Sequence, residues 1–356
     1  MVTRPSGITV AVDAMGGDNA PDAVVAGAIA GFEQPDRPRI LLVGRADAIE
    51  AALTRHVESR LMAEVRSRVD IVHASEVVEM DEHPAQAVRS KRDSSVVRAC
   101  ELVASGRARA VVSAGNSGAV LAAALFVVKR IEGVPRPAIG ALLPGLEGST
   151  FLLDVGANAD VRPEWLAQFA VMGDIYARSM MGVAEPRIAL LSNGEEPGKG
   201  SSLVQAAHPL LAAAPIRFVG NVEGKDLLRG VCDVAVTDGF TGNVALKTAE
   251  GVGEFLFDVL RREARASRRA MLGGLLLKPR LRAIRDRVDY RATGGALLLG
   301  VAGEVVIAHG RSDATAVENA IRVARIAAER NISGVIAAAM PRLPEPAAVA
   351  PTEDLR

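Results

Sequence analysis

Residues Val111-Val112-Ser113-Ala114-Gly115-Asn116-Ser117-Gly118-Ala119-Val120-Leu121-Ala122-Ala123-Ala124-Leu125 decide the fold class. An apolar, β-branched run gives way to a small polar turn and then to strong helix formers, which predicts strand, loop and helix start in one short stretch. The first N–H groups of a helix have no acceptor within it, and with the helix dipole they suit an anion. Gly115 and Gly118 permit close approach to the backbone, while Ser113, Asn116 and Ser117 add side-chain hydrogen-bonding groups. Two readings stand side by side. One is a phosphate or carbonyl-oxyanion site; the other is a plain βα turn with Asn116 or Ser117 as N-cap. The spacing matches neither the Walker loop nor G-x-G-x-x-G.

Outward from this stretch the same device recurs: apolar strand, Gly/Asn-rich loop, helix start. Strands are predicted over 8–12, 39–43, 69–73, 137–143, 149–155, 187–191, 216–219, 231–237, 294–300 and 304–309, with helices over 84–91, 94–105, 163–181, 201–213, 244–265 and 315–330. Strands alternating with helices at this spacing imply an α/β fold, a mostly parallel sheet with helices on both faces. Ligands in such sheets bind beyond the carboxyl ends of the strands, so the polar loops are expected along one edge.

Composition narrows the class. The chain has 356 residues, 49% of them hydrophobic, enough for one large or two fused α/β lobes. Its formal net charge is zero and its aromatic content only 3%, which disfavours nucleic acid as a partner. Cys100 and Cys232 lie far apart with no C-x-x-C, so a disulfide framework or thiolate zinc site is not expected and a reducing cytoplasm fits. No signal peptide is expected, because the first residues lack a long apolar run. The apolar run 119–128 is far shorter than a bilayer span.

The 261–291 segment changes character. It carries eleven Lys or Arg, among them Arg261, Arg265, Arg268, Lys278 and Arg282, against three acids. Within it lies the apolar run Met271-Leu272-Gly-Gly-Leu275-Leu276-Leu277. Two basic helices around an apolar tip fit a solvated hairpin packed on a partner subunit. They also fit a tip entering lipid headgroups, where each basic residue adds roughly 1 kcal/mol, or a docking patch for an acidic protein. Elsewhere Lys199 lies between two glycines just before a helix start, a point charge for an anion. Arg89 and Lys91 follow the helix start at Pro84. Thr241, Gly242 and Asn243 follow Asp238 at another strand end. His309 closes a strand before Gly310, placed to move a proton or to cap the turn. His83, beside Asp81 and Glu82, makes a poor metal site. There is no G-x-S-x-G, no H-E-x-x-H and no Walker motif, so anion binders outnumber obvious nucleophiles.

Taken together, Asp13-Ala-Met-Gly-Gly-Asp18, Ser113-Ala-Gly-Asn-Ser-Gly-Ala119, Leu153-Asp-Val-Gly-Ala-Asn158, Asn193-Gly-Glu-Glu196 with Lys199-Gly200, Gly220-Asn-Val-Glu-Gly224, Asp238-Gly-Phe-Thr-Gly-Asn-Val244, and Gly295-Ala-Leu-Leu-Leu-Gly300 with His309-Gly310 resemble the PlsX phosphate acyltransferase family of bacterial phospholipid synthesis. The likeness runs from about residue 8 to 339, in order. Ser117 stands where that family often has Thr and keeps the hydroxyl. Thr293-Gly294 replaces an aromatic often found before Gly295.

The resemblance implies a reaction: inorganic phosphate attacks the thioester of a long-chain acyl–acyl carrier protein, giving acyl phosphate without a covalent enzyme intermediate. It implies a fold like isopropylmalate dehydrogenase and phosphotransacetylase, a homodimer, no metal or other cofactor, and a cytoplasmic enzyme peripherally attached to the inner face of the membrane. A glycerol-3-phosphate acyltransferase would consume the product. The chain is then expected as a single catalytic domain of two lobes over 1–340, including a protruding basic hairpin over 254–291, with a disordered tail over 341–356. Joined to the residue reading, Ser113, Gly115, Asn116, Ser117, Lys199, Thr241, Gly242 and Asn243 are expected to hold phosphate. Asn116 or Asn158 would meet the developing oxyanion, Lys199 and His309 would complete catalysis, and Arg89, Lys91, Arg261, Arg265, Arg268, Lys278 and Arg282 would face the carrier protein. Met271, Leu272, Leu275, Leu276 and Leu277 would touch lipid. An acyltransferase using coenzyme A thioesters and a non-catalytic membrane scaffold are the rivals; an oxidoreductase lacks its dinucleotide fingerprint.

Overall fold

Among the described residues, eleven strands join in one sheet. The computed structural model describes residues 7–30, 37–288 and 294–340, the side chains of 285–288 excepted, so the expected tail over 341–356 and Arg291 of the basic segment lie outside the described residues. The strands are β1 (Thr9–Asp13), β2 (Arg39–Gly44), β3 (Val69–His73), β4 (Ala110–Ser113), β5 (Ala138–Gly145), β6 (Gly148–Leu153), β7 (Ile188–Ser192), β8 (Phe218–Glu223), β9 (Val234–Val236), β10 (Ala296–Leu299) and β11 (Glu304–Ile307). They stand in the order β3-β2-β1-β4-β11-β10-β5-β6-β9-β7-β8. The helices are α1 (Asp22–Ile29), α2 (Ala46–His56), α3 (Met62–Arg68), α4 (Pro84–Ser90), α5 (Ser95–Ala104), α6 (Ser117–Ala123), α7 (Pro163–Tyr176), α8 (Ser202–Ala213), α9 (Gly239–Glu263), α10 (Arg268–Val288), α11 (Ala314–Arg330) and α12 (Ile332–Ala339).

Apolar strands buried on both faces need two covering layers. Val10 and Val12 of β1, Ala110 and Val112 of β4, and Phe151 and Leu153 of β6 pack into one core with α1, α2, α7, α8, α11 and α12. The alternate residues, Ala11, Val111 and Leu152, pack into the other with α4, α5, α6 and the inner face of α9. Local signals set the helix starts: Pro84 opens α4, and Asn116, Ser201, Asp238 and Asp313 cap α6, α8, α9 and α11 through their side chains. β10 is shorter than the predicted strand because Gly294 and Gly295 both turn with positive φ.

The strands run parallel from β3 through β1 and β4 to β11, and again from β6 through β9 and β7 to β8. Between these blocks β10 and the β5–β6 hairpin pair antiparallel. The sheet is therefore mostly parallel, as expected, but its two blocks point in opposite directions. The loops after β1, β4 and β11 emerge at one edge, called here the upper; those after β6, β7, β8 and β9 emerge at the lower. The expectation of a single edge is corrected by this reversal.

α9 crosses between the edges. It starts at the lower edge after β9 and climbs the face of the sheet. Its far half leaves the body, with Phe255, Leu256, Val259 and Leu260 exposed, and α10 returns beside it. A Cβ on Gly274 would meet Ala264 at 3.0 Å, where the two helices approach. Between the two halves of α9 lie Gly251 and Gly253, each with nothing within 4 Å of where a Cβ would be. No helix among the described residues is long and apolar enough to cross a membrane.

Candidate active site

At the upper edge three loops are pinned together around Asp13. Asp13 is 2% exposed. Ser113 Oγ donates to Asp13 Oδ2 at 2.7 Å, the Met15 N–H donates to Oδ1 at 3.2 Å, and the Gly115 N–H donates to Ser113 Oγ at 3.1 Å. Burial raises the Asp13 pKa, opposed by the hydrogen bonds of Ser95 and Ser113. A Cβ on Gly16 would stand 2.7 Å from the Gly115 nitrogen, so only glycine lets the loops after β1 and β4 touch. The Asp18 N–H donates to Gly310 O at 2.9 Å, which ties in the loop after β11.

These bonds redirect several sequence expectations. Ser113, 1% exposed, spends its hydroxyl inward on Asp13 and Gly115 and is not offered to a ligand. The Gly115 amide is likewise occupied. Asn116 donates both amide hydrogens, to Met80 O at 3.0 Å and Glu82 O at 3.1 Å, and its Oδ1 accepts the Ala119 N–H at 3.1 Å. In this state its carboxamide serves as a cap and a loop tie. What remains at the start of α6 is the exposed Ser117 and the first-turn amides of Ser117 and Gly118, which have no acceptor four residues back in a helix.

The lower edge has its own buried carboxylate. Asp154 Oδ1 accepts from the N–H groups of Ile139, Gly156 and Ala157 at 3.0–3.1 Å, and Oδ2 from the Asn158 N–H at 2.8 Å and Asn158 Nδ2 at 2.9 Å. Burial raises the Asp154 pKa against these hydrogen bonds. Asn158 Nδ2 also donates to Pro137 O at 2.7 Å. Both bonds of Asn158 Nδ2 thus stay within the loop and the residue just before β5. The foot of α9 stands on this loop: the Gly239 N–H donates to Asn158 O at 2.7 Å. The Thr241 N–H is taken by Asp238 Oδ1 and the Gly242 N–H by Asp238 O, which removes both amides as phosphate donors. Asn243 is exposed beside Gly156.

Two turns up α9 the halves of the chain meet. Lys247 Nζ lies 2.7 Å from Glu250 Oε2 and 3.5 Å from His309 Nε2, while the Arg311 N–H points at His309 Nδ1 from 3.5 Å. Burial lowers the pKa of the half-buried His309, and the Lys247 charge lowers it further. Lys247 escaped the sequence reading because it sits in an ordinary amphipathic helix; its one signal is the Lys247–Glu250 spacing.

Lys199 stands elsewhere. It is exposed in the loop after β7, its N–H donating to Glu196 O at 2.9 Å, and its ammonium forms no ion pair among the described residues. β7 is six strand spacings from β4. At about 4.8 Å per strand that is about 29 Å, and the two loops leave opposite edges. Within one chain Lys199 and the 115–118 loop cannot grip the same phosphate. Lys91 is also withdrawn: its ammonium donates to Val77 O at 2.7 Å and Glu82 Oε2 at 2.6 Å. Arg89 stays exposed, its guanidinium 5.0 Å from the Phe126 ring centroid. Arg261, Arg265, Arg268, Lys278 and Arg282 are exposed along the hairpin, as are Met271, Leu272, Leu275, Leu276 and Leu277; Leu276 reaches 74%.

Among the described residues no three His, Cys, Asp or Glu side chains cluster as a metal site. Cavities of about 670 Å³ and 420 Å³, lined around residues 125–135 and around Arg109, Glu304 and Asn331, open at the lower ends of β4, β11 and β10, away from His309. Cys100 and Cys232 are buried, and burial pushes both thiols up to about 12, so neither supplies a thiolate.

Comparison with known proteins identifies the family. The family described as "Fatty acid synthesis protein" matches residues 8–334. A phosphate acyltransferase of Anaeromyxobacter sp. (strain Fw109-5) is 52% identical over 331 residues, 93% of this chain and 90% of that one. Among solved structures, a phosphotransacetylase from Streptococcus pyogenes superposes with TM-score 0.61 at 17% identity, covering 92% of this chain and 95% of that one. A 4-hydroxythreonine-4-phosphate dehydrogenase from Klebsiella pneumoniae gives 0.51 at 14% identity, over 93% and 100%. These two share the fold, a sheet architecture common to phosphotransacetylases and dehydrogenases. With the family match over residues 8–334 and half its residues shared with a curated relative, the chain belongs to the family of the phosphate acyltransferases.

Proposed function

We propose that this chain transfers a long-chain acyl group from acyl–acyl carrier protein to inorganic phosphate, giving acyl phosphate for membrane phospholipid synthesis. Membership of the phosphate acyltransferases over residues 8–334 carries the reading. Phosphate attacks the thioester directly. The inert thiols of Cys100 and Cys232 and the inward-turned hydroxyl of Ser113 support this, since none is an available nucleophile. The Ser117 hydroxyl and the amides of Ser117 and Gly118 bind the anion, with Lys247 of α9 beside His309, which moves the proton. The continuous sheet supports reading 1–340 as one catalytic domain of two lobes.

The exposed apolar row of α9 supports a homodimer, and any share of Lys199 in phosphate capture then belongs to the neighbouring copy's site. The basic, leucine-tipped hairpin supports peripheral attachment to the inner face of an anionic membrane and contact with the acidic carrier protein, from a cytoplasmic location. A glycerol-3-phosphate acyltransferase takes the product. The test supplies acyl–acyl carrier protein with radiolabelled phosphate and follows free thiol and labelled acyl phosphate together. Thiol release that ignores phosphate would refute the reading. A coenzyme A thioester run in parallel decides the donor.

A further inference from the structure

The cavity of about 420 Å³ at the lower ends of β4 and β11 is lined by four charged side chains. Arg109 precedes β4, Arg130 and Glu132 lie in the segment before β5, and Glu304 is the first residue of β11. Two cations and two carboxylates thus share one cavity, and among the described residues none of the four is ion-paired. Glu304 is the buried member, 4% exposed. Its Oε1 accepts the Ser333 N–H at 2.9 Å and the Ser333 hydroxyl at 2.8 Å, while Oε2 accepts no bond among the described residues. Burial raises the Glu304 pKa, against the Ser333 bonds and the Arg109 charge. A buried carboxyl with one bare oxygen is matched by a donor, best a cationic one.

Donors in the same cavity outnumber their acceptors. Arg109 Nη2 donates to Asn331 Oδ1 at 3.1 Å and Arg130 Nη1 to Pro135 O. The remaining N–H groups of both guanidiniums, and the amide hydrogens of Asn331, have no acceptor among the described residues. Asn331 holds the left-handed conformation, with φ 51°. A Cβ on Gly334 would collide with Asn331 Nδ2, so glycine there makes room for this amide. A bare anion in the cavity would leave Glu132 and Glu304 opposed to it, and a bare cation would meet the guanidiniums.

We propose that this cavity binds a small zwitterion, its ammonium against Glu304 and its anionic group against Arg109, Arg130 and the Asn331 amide. Amino acids and aminoalkyl phosphates share this chemistry. The site is separate from acyl transfer and does not depend on it. The full chain is titrated by isothermal calorimetry with serine and, separately, with phosphoethanolamine; the tighter of the two names the source. Ethanolamine, lactate and ethyl phosphate, each lacking one of the charges, are expected to bind at least about tenfold more weakly than the zwitterion. Arg109→Met and Glu304→Gln are expected to weaken the zwitterion by at least about tenfold as well. Because Glu304 also holds Ser333, a melting curve accompanies its variant, and Arg130→Met, at an exposed side chain, gives a second reading of the anionic end. A chain that binds neither zwitterion would overturn the proposal. So would single-charge analogues that bind as tightly, or zwitterion binding left intact in both Arg109→Met and Arg130→Met.

Discussion

Replacing Ser113 by alanine separates a structural hydroxyl from a substrate-binding one. The oxygen removed is almost wholly buried and makes two bonds, one to the Asp13 carboxylate at 2.7 Å and one from the Gly115 amide at 3.1 Å. A hydrogen bond to a charged group contributes about 1.5–3 kcal/mol, and a neutral one about 1 kcal/mol. Asp13 keeps the Met15 N–H and the Ser95 hydroxyl, which softens the loss. The expected destabilisation is about 2–4 kcal/mol, or roughly 30- to 700-fold in the folding equilibrium. Urea unfolding followed by the single tryptophan, Trp165 on α7, measures it. The KM for phosphate, taken where both proteins are folded, is expected to stay within about twofold, since no uniform binding is removed. A stability within about 0.5 kcal/mol of the parent, combined with a raised phosphate KM, would refute the inward assignment of the hydroxyl.

Three other outcomes follow from the same geometry. Leu275→Glu with Leu276→Glu on the hairpin is expected to abolish co-sedimentation with anionic vesicles while leaving the melting temperature unchanged, since each leucine contributes about 1.5–3 kcal/mol only when covered; undiminished vesicle binding would clear the tip of lipid contact. Mixing Lys199→Ala chains with His309→Gln chains is expected to restore activity that neither has alone, because a lysine on the lower edge, six strands from β4, acts in its neighbour; mixtures as dead as their components would count against that. For His309 the native ring has the lowered proton affinity, so the unfolded chain binds more protons as pH falls through the ordinary value of 6.5, and stability is lost in that direction. His309→Gln is expected to flatten that part of a pH-dependent denaturation series.

The 111–125 stretch was legible because three local rules agree there: β-branched run, capping residue, helix formers. β4 ends at Ser113 and α6 begins at Ser117 under the Asn116 cap. The reversal of strand direction was not legible. Period and apolarity are the same for a strand read up or down, and the local traces are two tight hairpins, β5–β6 in which Gly145 pairs with Gly148 and β10–β11 joined by residues 300–303. Side-chain commitments were hidden for another reason. Buried polar groups need partners, and those of Asn116 are Met80 and Glu82, more than thirty residues away. Asn158 and Lys91 looked like free donors until the fold supplied Pro137 O and Val77 O. The family could nonetheless be recognised from its loops, because the order of motifs along a chain survives any error about where each loop points.

α9 serves the histidine with one end and the hairpin with the other, and Gly251 and Gly253 lie between. Each costs about 1 kcal/mol of helix propensity against alanine, and no neighbour crowds the space a side chain would fill. Sterics do not demand them, so the rod is softest at that point for no gain in packing. A bending load applied by whatever the arm rests upon is taken up at this compliant joint, and the distance from Lys247 to the ring is insulated from it.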